Sequence, residues 1–494
     1  MKLDSLLEAL QTKRIDGSPE RDITSLAFDS RLVEPGALFI AMPGAKSDGA
    51  EFIPSALAKG AAAIICEQET AVEGATRIVV PDARRALADV AAAYYGHPDR
   101  SMKMAGITGT NGKTTTAFLL KHICEQVLLR CGLIGTVRYE IADQVLPATR
   151  TTPESLEVQE LLWRMQSAGC RSAVMEVSSH ALELHRVRGI EWDTAVFTNL
   201  TQDHLDYHRT MEAYFEAKAK LFTGLAAQQH KTGTAVINGD DRYGAMLAQR
   251  LSMGSTRVIT YGMGARSDVR ASNVRTDFQG TVYQLDAGGR QFLVRVPQIG
   301  AFNVYNSLAA IGGAQAMGIE PRDAVLALAT APAVPGRMEA VPGQRNFKIF
   351  VDYAHTDDAL SNALRTLREL KPARLIAVFG CGGDRDRAKR PRMGAAVNEH
   401  ADYAIVTSDN PRSEQPEAII EDIKPGLTRI PFLVIVDRRA AIERAVEIAG
   451  PRDIVLIAGK GHETYQEFKS HTLPFDDVAI ARAAMDDKGS EAAR

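Results

Sequence analysis

The sequence predicts an α/β protein built from three domains. Its 494 residues exceed what one core supports, since a single hydrophobic core rarely grows past about 250–300 residues. Short apolar strands ending in polar loops alternate with helical segments along most of the chain, the pattern of parallel sheets flanked by helices. That alternation is interrupted by a turn-rich break at Gly96–Ser101 and by a Pro- and Gly-rich segment at Ala331–Arg337. The breaks place domains at residues 1–100, 101–334 and 335–494.

In the first domain Leu3–Leu10 has helical spacing, Ala37–Ala41, Ala61–Cys66 and Arg77–Val80 read as strands, and Ala83–Tyr95 reads as a helix. The second opens with the apolar strand Met104–Thr108, which runs through TGTNGKTTT into an amphipathic helix over Thr114–Leu129. Ala173–Val177 and Thr194–Thr198 repeat the buried strand that ends in polar residues. A parallel sheet follows, with ligands gathering at the C-terminal ends of its strands. The third domain restarts the alternation with strands at Ile349–Asp352, Leu375–Phe379, Tyr403–Thr407, Phe432–Val436 and Ile454–Ala458, a doubly wound arrangement. The Ala- and charge-rich tail after Ala481 is expected to fray.

Composition narrows the function. Hydrophobic residues make up 45% and charged residues 24%, which excludes wholesale disorder. A net charge of −3 gives no electrostatic case for nucleic acid or an anionic membrane as the main partner. No stretch is long and apolar enough for a membrane span, and the start does not read as a signal peptide. Five scattered cysteines without CxxC spacing argue against structural zinc or a disulfide framework, so a reduced, cytoplasmic protein is expected.

The strongest local signal is Gly109-Thr110-Asn111-Gly112-Lys113-Thr114-Thr115. A strand turning through glycines into a helix aims several backbone N–H groups and the helix's partial positive charge at one spot. Lys113 can reach the outer phosphates of a nucleotide, and Thr114 or Thr115 can offer a hydroxyl to Mg²⁺. The strict P-loop pattern would require Gly where Ile107 stands. Glu176, at a strand end in MEVSSH, is a natural Mg²⁺ ligand if its strand neighbours the P-loop strand; a solvated strand-end carboxylate is an equal reading. Asp203, His204, Asp206 and His208 cluster in TNLTQDHLDYH. The two histidines have zinc-helix spacing, but Leu205 occupies the position of the required Glu, and spacing alone slightly favours a surface-loop cluster.

Three polar loops follow neighbouring strands of the third domain: FGCGGDRDRAKRP at Phe379–Pro391, TSDNPRSE at Thr407–Glu414 and AGKGHE at Ala458–Glu463. Their recurrence points to a ligand crevice. Arg385 and Arg412 can each clamp a carboxylate, while Asp409 and Glu463 can hold an ammonium.

With DSR at Asp29–Arg31, TTP at Thr151–Pro153, AFNVYN at Ala301–Asn306, GRME at Gly336–Glu339 and VDYAHT at Val351–Thr356, these motifs resemble the Mur ligase family along nearly the whole chain. Members are ATP-dependent amide-forming enzymes of peptidoglycan precursor synthesis. The resemblance implies a small α/β UDP-binding domain, a central P-loop ATPase-like parallel-sheet domain and a C-terminal Rossmann-like doubly wound domain. The DNPR run, Asp409–Arg412, is similar to the form that adds meso-2,6-diaminopimelate to UDP-N-acetylmuramoyl-L-alanyl-D-glutamate through an acyl phosphate.

The same resemblance implies roles for single residues. Lys113 and Thr114 would handle phosphate and one Mg²⁺, and Glu176 with His204 a second Mg²⁺. Lys218 matches a carbamylated lysine that ligates metal, although by composition it reads only as a surface helix lysine. Ser30 and Ala45, Lys46 and Ser47 match the uridine diphosphate contacts. Thr151, Thr152, Ser178 and Arg186 match the muramoyl-dipeptide contacts, with Leu184 standing where some relatives carry Gln. Asn303 and His355 match positions near adenine. Arg385, Asp409, Asn410, Pro411, Arg412, Gly459 and Glu463 match the diaminopimelate site. A monomer is expected. A folylpolyglutamate synthase shares the core and the reaction type, but a full domain precedes the P-loop here and the DNPR loop is present. A P-loop switch without synthetic chemistry would leave the three C-terminal loops unemployed.

Overall fold

The computed structural model describes residues 1–44 and 48–487, so the expected contacts at Ala45, Lys46 and Ser47 lie outside the described residues. The architecture is α/β, organised on three sheets. Strands β1 (Arg14–Asp16), β2 (Leu26–Ala27), β3 (Leu38–Ile40), β4 (Ala63–Cys66) and β5 (Thr76–Val79) form the first, in the order β1-β5-β4-β3-β2. Only β1 is antiparallel to its neighbour. Helix Ala83–Tyr94 packs Leu87 and Val90 against this sheet. The helix begins where Asp82 accepts hydrogen bonds from the Arg84 and Arg85 amides, an N-cap that satisfies two otherwise orphaned donors.

The second sheet has eleven strands: β6 (Lys103–Thr108), β7 (Cys131–Ile134), β8 (Arg138–Ile141), β9 (Gln144–Pro147), β10 (Ser172–Glu176), β11 (Thr194–Phe197), β12 (Thr234–Asn238), β13 (Arg257–Gly262), β14 (Val269–Asp277), β15 (Gly280–Ala287) and β16 (Arg290–Val296). Its middle, β13-β12-β11-β6-β10-β7, is parallel, with apolar clusters on both faces. Burial on two faces explains why these strands read as continuous apolar runs. The sequence reading does not anticipate the antiparallel additions β8–β9 and β14–β16 at the sheet's edges. Helix Lys113–Gln126 ends three residues sooner than expected, because Leu128 adopts a left-handed backbone, φ 59°, and turns the chain.

The third sheet comprises β17 (Glu339–Val341), β18 (Lys348–Asp352), β19 (Leu375–Phe379), β20 (Tyr403–Val406), β21 (Phe432–Val434) and β22 (Ile454–Ala458), in the order β17-β18-β22-β19-β20-β21. All pairs but β17–β18 are parallel. The loops after β18, β19, β20 and β22 therefore emerge at one edge. The helix Asp477–Asp487 continues past Ala481, anchored by buried Ile480, Ala481 and Met485, and the rest of the tail lies outside the described residues. All five cysteines are buried and free. Among the described residues no helix is long and apolar enough to cross a membrane.

The N-terminal end of the central sheet is fixed by Asp193, which accepts from the Met104 amide (2.8 Å), Lys103 Nζ (3.0 Å) and Lys231 Nζ (2.7 Å). Removing the carboxylate leaves the buried Lys231 ammonium uncompensated. Asp193→Ala is expected to lower unfolding free energy in urea by about 3–5 kcal/mol, whereas a loss below about 1 kcal/mol would show that the pair is not holding the sheet.

Candidate active site

β6 delivers the P-loop to the centre of the second sheet. Gly109 lies at φ 148° with Thr198 packed where a Cβ would stand, and Gly112 takes φ 87° to start the helix at Lys113. The loop is tied to the end of β11: the Thr110 amide donates to Asn199 O (2.8 Å), the Asn111 amide to Asn199 Oδ1 (2.9 Å), and Thr198 Oγ1 to Asn111 O (2.6 Å). Lys113 folds back onto the Gly109 and Thr110 carbonyls at 3.0 and 2.9 Å. Burial pushes its pKa down.

The condition attached to Glu176 is met. β10 pairs with β6 in parallel and sets Glu176 opposite Ile107. The carboxylate is buried, not solvated, and accepts from Thr114 Oγ1 (2.9 Å), the Thr136 amide (2.8 Å) and Thr136 Oγ1 (3.0 Å). Arg337, from the GRME segment, donates to Thr114 Oγ1 at 3.0 Å, and Asn111 donates to Asp358 Oδ2 at 3.1 Å. The third sheet's unit thus touches the P-loop at two points. Glu176, Thr136 and Arg337 line a cavity of about 340 Å³ with Thr110–Thr115, Thr151, Ser178, Asp203, His204 and His355.

Lys218 is not a surface lysine. It is 1% exposed on the helix Met211–Thr223. Its Nζ donates to Gly109 O at 2.9 Å, the same carbonyl that Lys113 reaches, and lies 4.5 Å above the Tyr214 ring. Desolvation, then repulsion from Lys113, drives its pKa well below that of an ordinary lysine. Among the described residues no carboxylate is bonded to it. His204 sits at φ 53°, ahead of the short helix Leu205–His208, with its ring edge-on to His180 at 5.0 Å. Desolvation lowers its pKa to about 4, so its imidazole is uncharged at neutral pH. His208 instead meets Ser179 Oγ at 2.9 Å, away from zinc-type convergence with His204. Among the described residues no three His, Cys, Asp or Glu side chains form a metal cage of their own. Thr114 and Glu176 do offer the hard oxygen donors that a divalent cation shares with phosphate.

A second cavity, about 670 Å³, lies between the TQDHLD segment and the loops after β18, β19, β20 and β22. Arg385, Asp409, Asn410, Arg412, Gly459 and Glu463 all line it. Gly459, at φ 117°, lets the Asp409 carboxylate occupy the place of a Cβ, and the Pro411 carbonyl packs on Gly383 in the same way. Arg385 makes no ion pair with any described residue. Arg412 differs from expectation: its Nε donates to Glu467 (2.9 Å) and its Nη1 to Gly383 O (2.8 Å), so it is already partnered. Glu463 likewise accepts from Asn410 Nδ2 (2.8 Å) and Lys460 Nζ (3.1 Å). The two cavities share Asp203, His204, Tyr353 and His355, and so open onto one another.

In comparison with known proteins, residues 107–314 match the Mur ligase middle domain, residues 336–461 the Mur ligase glutamate ligase domain, and residues 22–95 the Mur ligase family catalytic domain. A UDP-N-acetylmuramoyl-L-alanyl-D-glutamate--2,6-diaminopimelate ligase of Solibacter usitatus (strain Ellin6076) is 46% identical over 98% of each chain. A solved structure bearing the same enzyme name superposes with a TM-score of 0.72 at 35% identity, covering 99% of this chain and 100% of the other. The chain belongs to the Mur ligase family. The fold also matches a MurF ligase from Thermotoga maritima in complex with ADP, at TM-score 0.63 and 20% identity over 96% of this chain and 99% of that one.

In this Mur ligase the remaining predicted residues fall into three groups. Thr151 and Ser178 face the P-loop cavity, and Thr152 behind them bonds Glu176 O at 2.8 Å. Arg186 lies beside them, donating to Thr152 O (3.1 Å) and pairing with Glu154 (2.8 Å). Ser30 is buried in the first unit, one residue after the Asp29 cap, and lines neither cavity. Asn303 also stands back: it bonds Ile299 O (2.9 Å) and supports Asn306, which does face the nucleotide loop. Sequence reasoning missed Thr136, Arg337 and Asp358, whose partners lie 40, 223 and 247 residues away. The GRME and VDYAHT motifs were the available signal for the last two.

Beneath the second cavity lies a fully buried pair, Arg438 with Asp477, at 2.7 and 2.8 Å. Arg438 also donates to Ala458 O (3.0 Å) and Ser408 O (3.4 Å), fixing two loops that line the second cavity to one guanidinium. Arg438→Ala is expected to speed hydrogen exchange of residues 408–412 and 459–463 at least tenfold, by removing a pair whose loss costs about 3–5 kcal/mol, with the P-loop amides unchanged. Equal acceleration in the P-loop would mean general destabilisation instead.

Proposed function

We propose that this chain is an ATP-dependent ligase joining meso-2,6-diaminopimelate to the D-glutamate γ-carboxylate of UDP-N-acetylmuramoyl-L-alanyl-D-glutamate, in peptidoglycan precursor synthesis. The observation that carries the reading is the communication between two cavities, one on a P-loop and one lined by cations and carboxylates suited to a zwitterion. The names of its near full-length relatives support it. Residues 1–100 would take the UDP end, residues 101–334 ATP, and residues 335–494 the amino acid.

A carboxylate is a poor electrophile for amide formation, so phosphorylation supplies the leaving group, and the protein aligns reactants and stabilises charge. Lys113 and the helix N-terminus behind it are placed for the transferred phosphate. Thr114, Glu176 and His204 would hold Mg²⁺, which supplies charge neutralisation on phosphate oxygens. Lys218 fits a carbamate: desolvation and repulsion from Lys113 disfavour its ammonium form, and the two lysines reach for one carbonyl oxygen. The anionic product would relieve that repulsion and offer an oxygen ligand. The opposing end of the amino acid meets Arg385, whose guanidinium is unpaired. Because Glu467 already pairs with Arg412, discrimination against lysine, which lacks the distal carboxylate, falls mainly on Arg385.

A coupled phosphate-release assay on the UDP-linked dipeptide tests the assignment: diaminopimelate should support turnover and lysine should not. Arg385→Ala should lower kcat/KM for diaminopimelate roughly ten- to a hundredfold, the worth of one charged hydrogen bond, with KM for ATP unchanged. Full use of lysine by the unaltered enzyme would reject the substrate choice. An intact mass lacking added CO₂ at full activity would reject the carbamate.

A further inference from the structure

The helix Lys389–His400 opens with Lys389, Arg390 and Arg392 and has no acidic residue in its first turn. Cations at a helix start are unfavourable, and Arg390 is compensated: fully buried, it pairs with Glu414 at 2.7 Å and Asp422 at 2.9 Å. Lys389 has no such account. It is half-buried, forms no hydrogen bond or ion pair with any described residue, and lines the second cavity. Arg392 beside it has only long pairs, 3.8 Å to Asp357 and 3.6 Å to Asp386.

The direction of the Lys389 charge is readable from its neighbours. His355 is held low first by burial and then by Lys389; Asp203 is held low, against burial, by His204, His355 and Lys389. Both neighbours line the seam where the two cavities open onto one another. Arg385 stands by the glycine loop of the amino-acid cavity, so a distal carboxylate has a cation of its own and does not require Lys389.

We propose that Lys389 is a catalytic residue that binds the phosphoryl group in transfer, supplying from the C-terminal unit the cation that Lys113 supplies from the P-loop. This role rests on the ligase reading above. In the first step a γ-carboxylate oxygen bonds to the γ-phosphorus while the bond to ADP breaks, its electron pair leaving with ADP. In the second, the amine nitrogen bonds to the acyl carbon and the acyl C–O bond breaks with its electron pair leaving on phosphate, which takes up the proton that the nitrogen gives up. Lys389 exchanges no proton in either step; it neutralises charge on the equatorial oxygens and on the departing phosphate.

The test compares unaltered enzyme with Lys389→Ala, Lys389→Gln and Lys389→Arg, using ATP, the UDP-linked dipeptide and diaminopimelate. The Ala and Gln variants should lose about 10²–10³ in kcat, keep KM for ATP and diaminopimelate within threefold, and melt at the same temperature; Arg should restore part of the rate. Positional isotope exchange within ATP, measured without diaminopimelate to report acyl-phosphate formation, should fall in parallel. A kcat within threefold of the unaltered enzyme in either the Ala or the Gln variant would overturn the role. So would a loss confined to KM for diaminopimelate, which would make Lys389 an amino-acid contact. Unaltered enzyme that releases no phosphate with these three substrates would instead overturn the ligase reading itself.

Discussion

The parallel pairing of β10 with β6 is the constraint on which the site depends. It puts Glu176 opposite Ile107 and so brings a buried carboxylate against the first turn of the P-loop helix. A shift of one residue would turn the Glu176 side chain to the other face of the sheet, because side chains alternate along a strand. β11, on the opposite flank of β6, adds Thr198 and Asn199, which clamp the loop from its other side. The nucleotide site is thus held by three adjacent strands and owes little to the loop's own conformation.

Charge is then distributed unevenly on purpose of geometry. Structural cations have partners: Arg438 with Asp477, Arg390 with Glu414 and Asp422, Lys231 with Asp193. Among the described residues, Arg385 and Lys389 face the second cavity without such partners, and Lys113 in the P-loop cavity leans on backbone carbonyls. An unneutralised cation in a low-dielectric cleft is costly unless an anion arrives. Phosphates and carboxylates of the proposed reactants would supply that compensation.

The sequence was most legible where local chemistry forces the outcome. The apolar runs Leu375–Phe379 and Ile454–Ala458 are strands as read, since residues buried on both faces leave an uninterrupted signal. The P-loop turn was legible because its glycines are required by positive φ and by close packing. The antiparallel edges β8–β9 and β14–β16 were not, because these partly exposed strands are interspersed with polar and charged residues and lack a continuous apolar run. Lys218 was misleading for a related reason: a lysine flanked by alanines on an amphipathic helix looks solvent-facing until the helix is seen to pack that face against the P-loop.

By itself the sequence determined the α/β class, the nucleotide loop, the three polar loops of the C-terminal unit and the family. Those features are written in residues adjacent along the chain. Only the tertiary structure decided which charges are spent and which are free. Arg412 meets Glu467 across 55 residues, and Arg337 reaches Thr114 across 223. Pair energies depend on distance and burial in space, and spacing along the chain fixes neither.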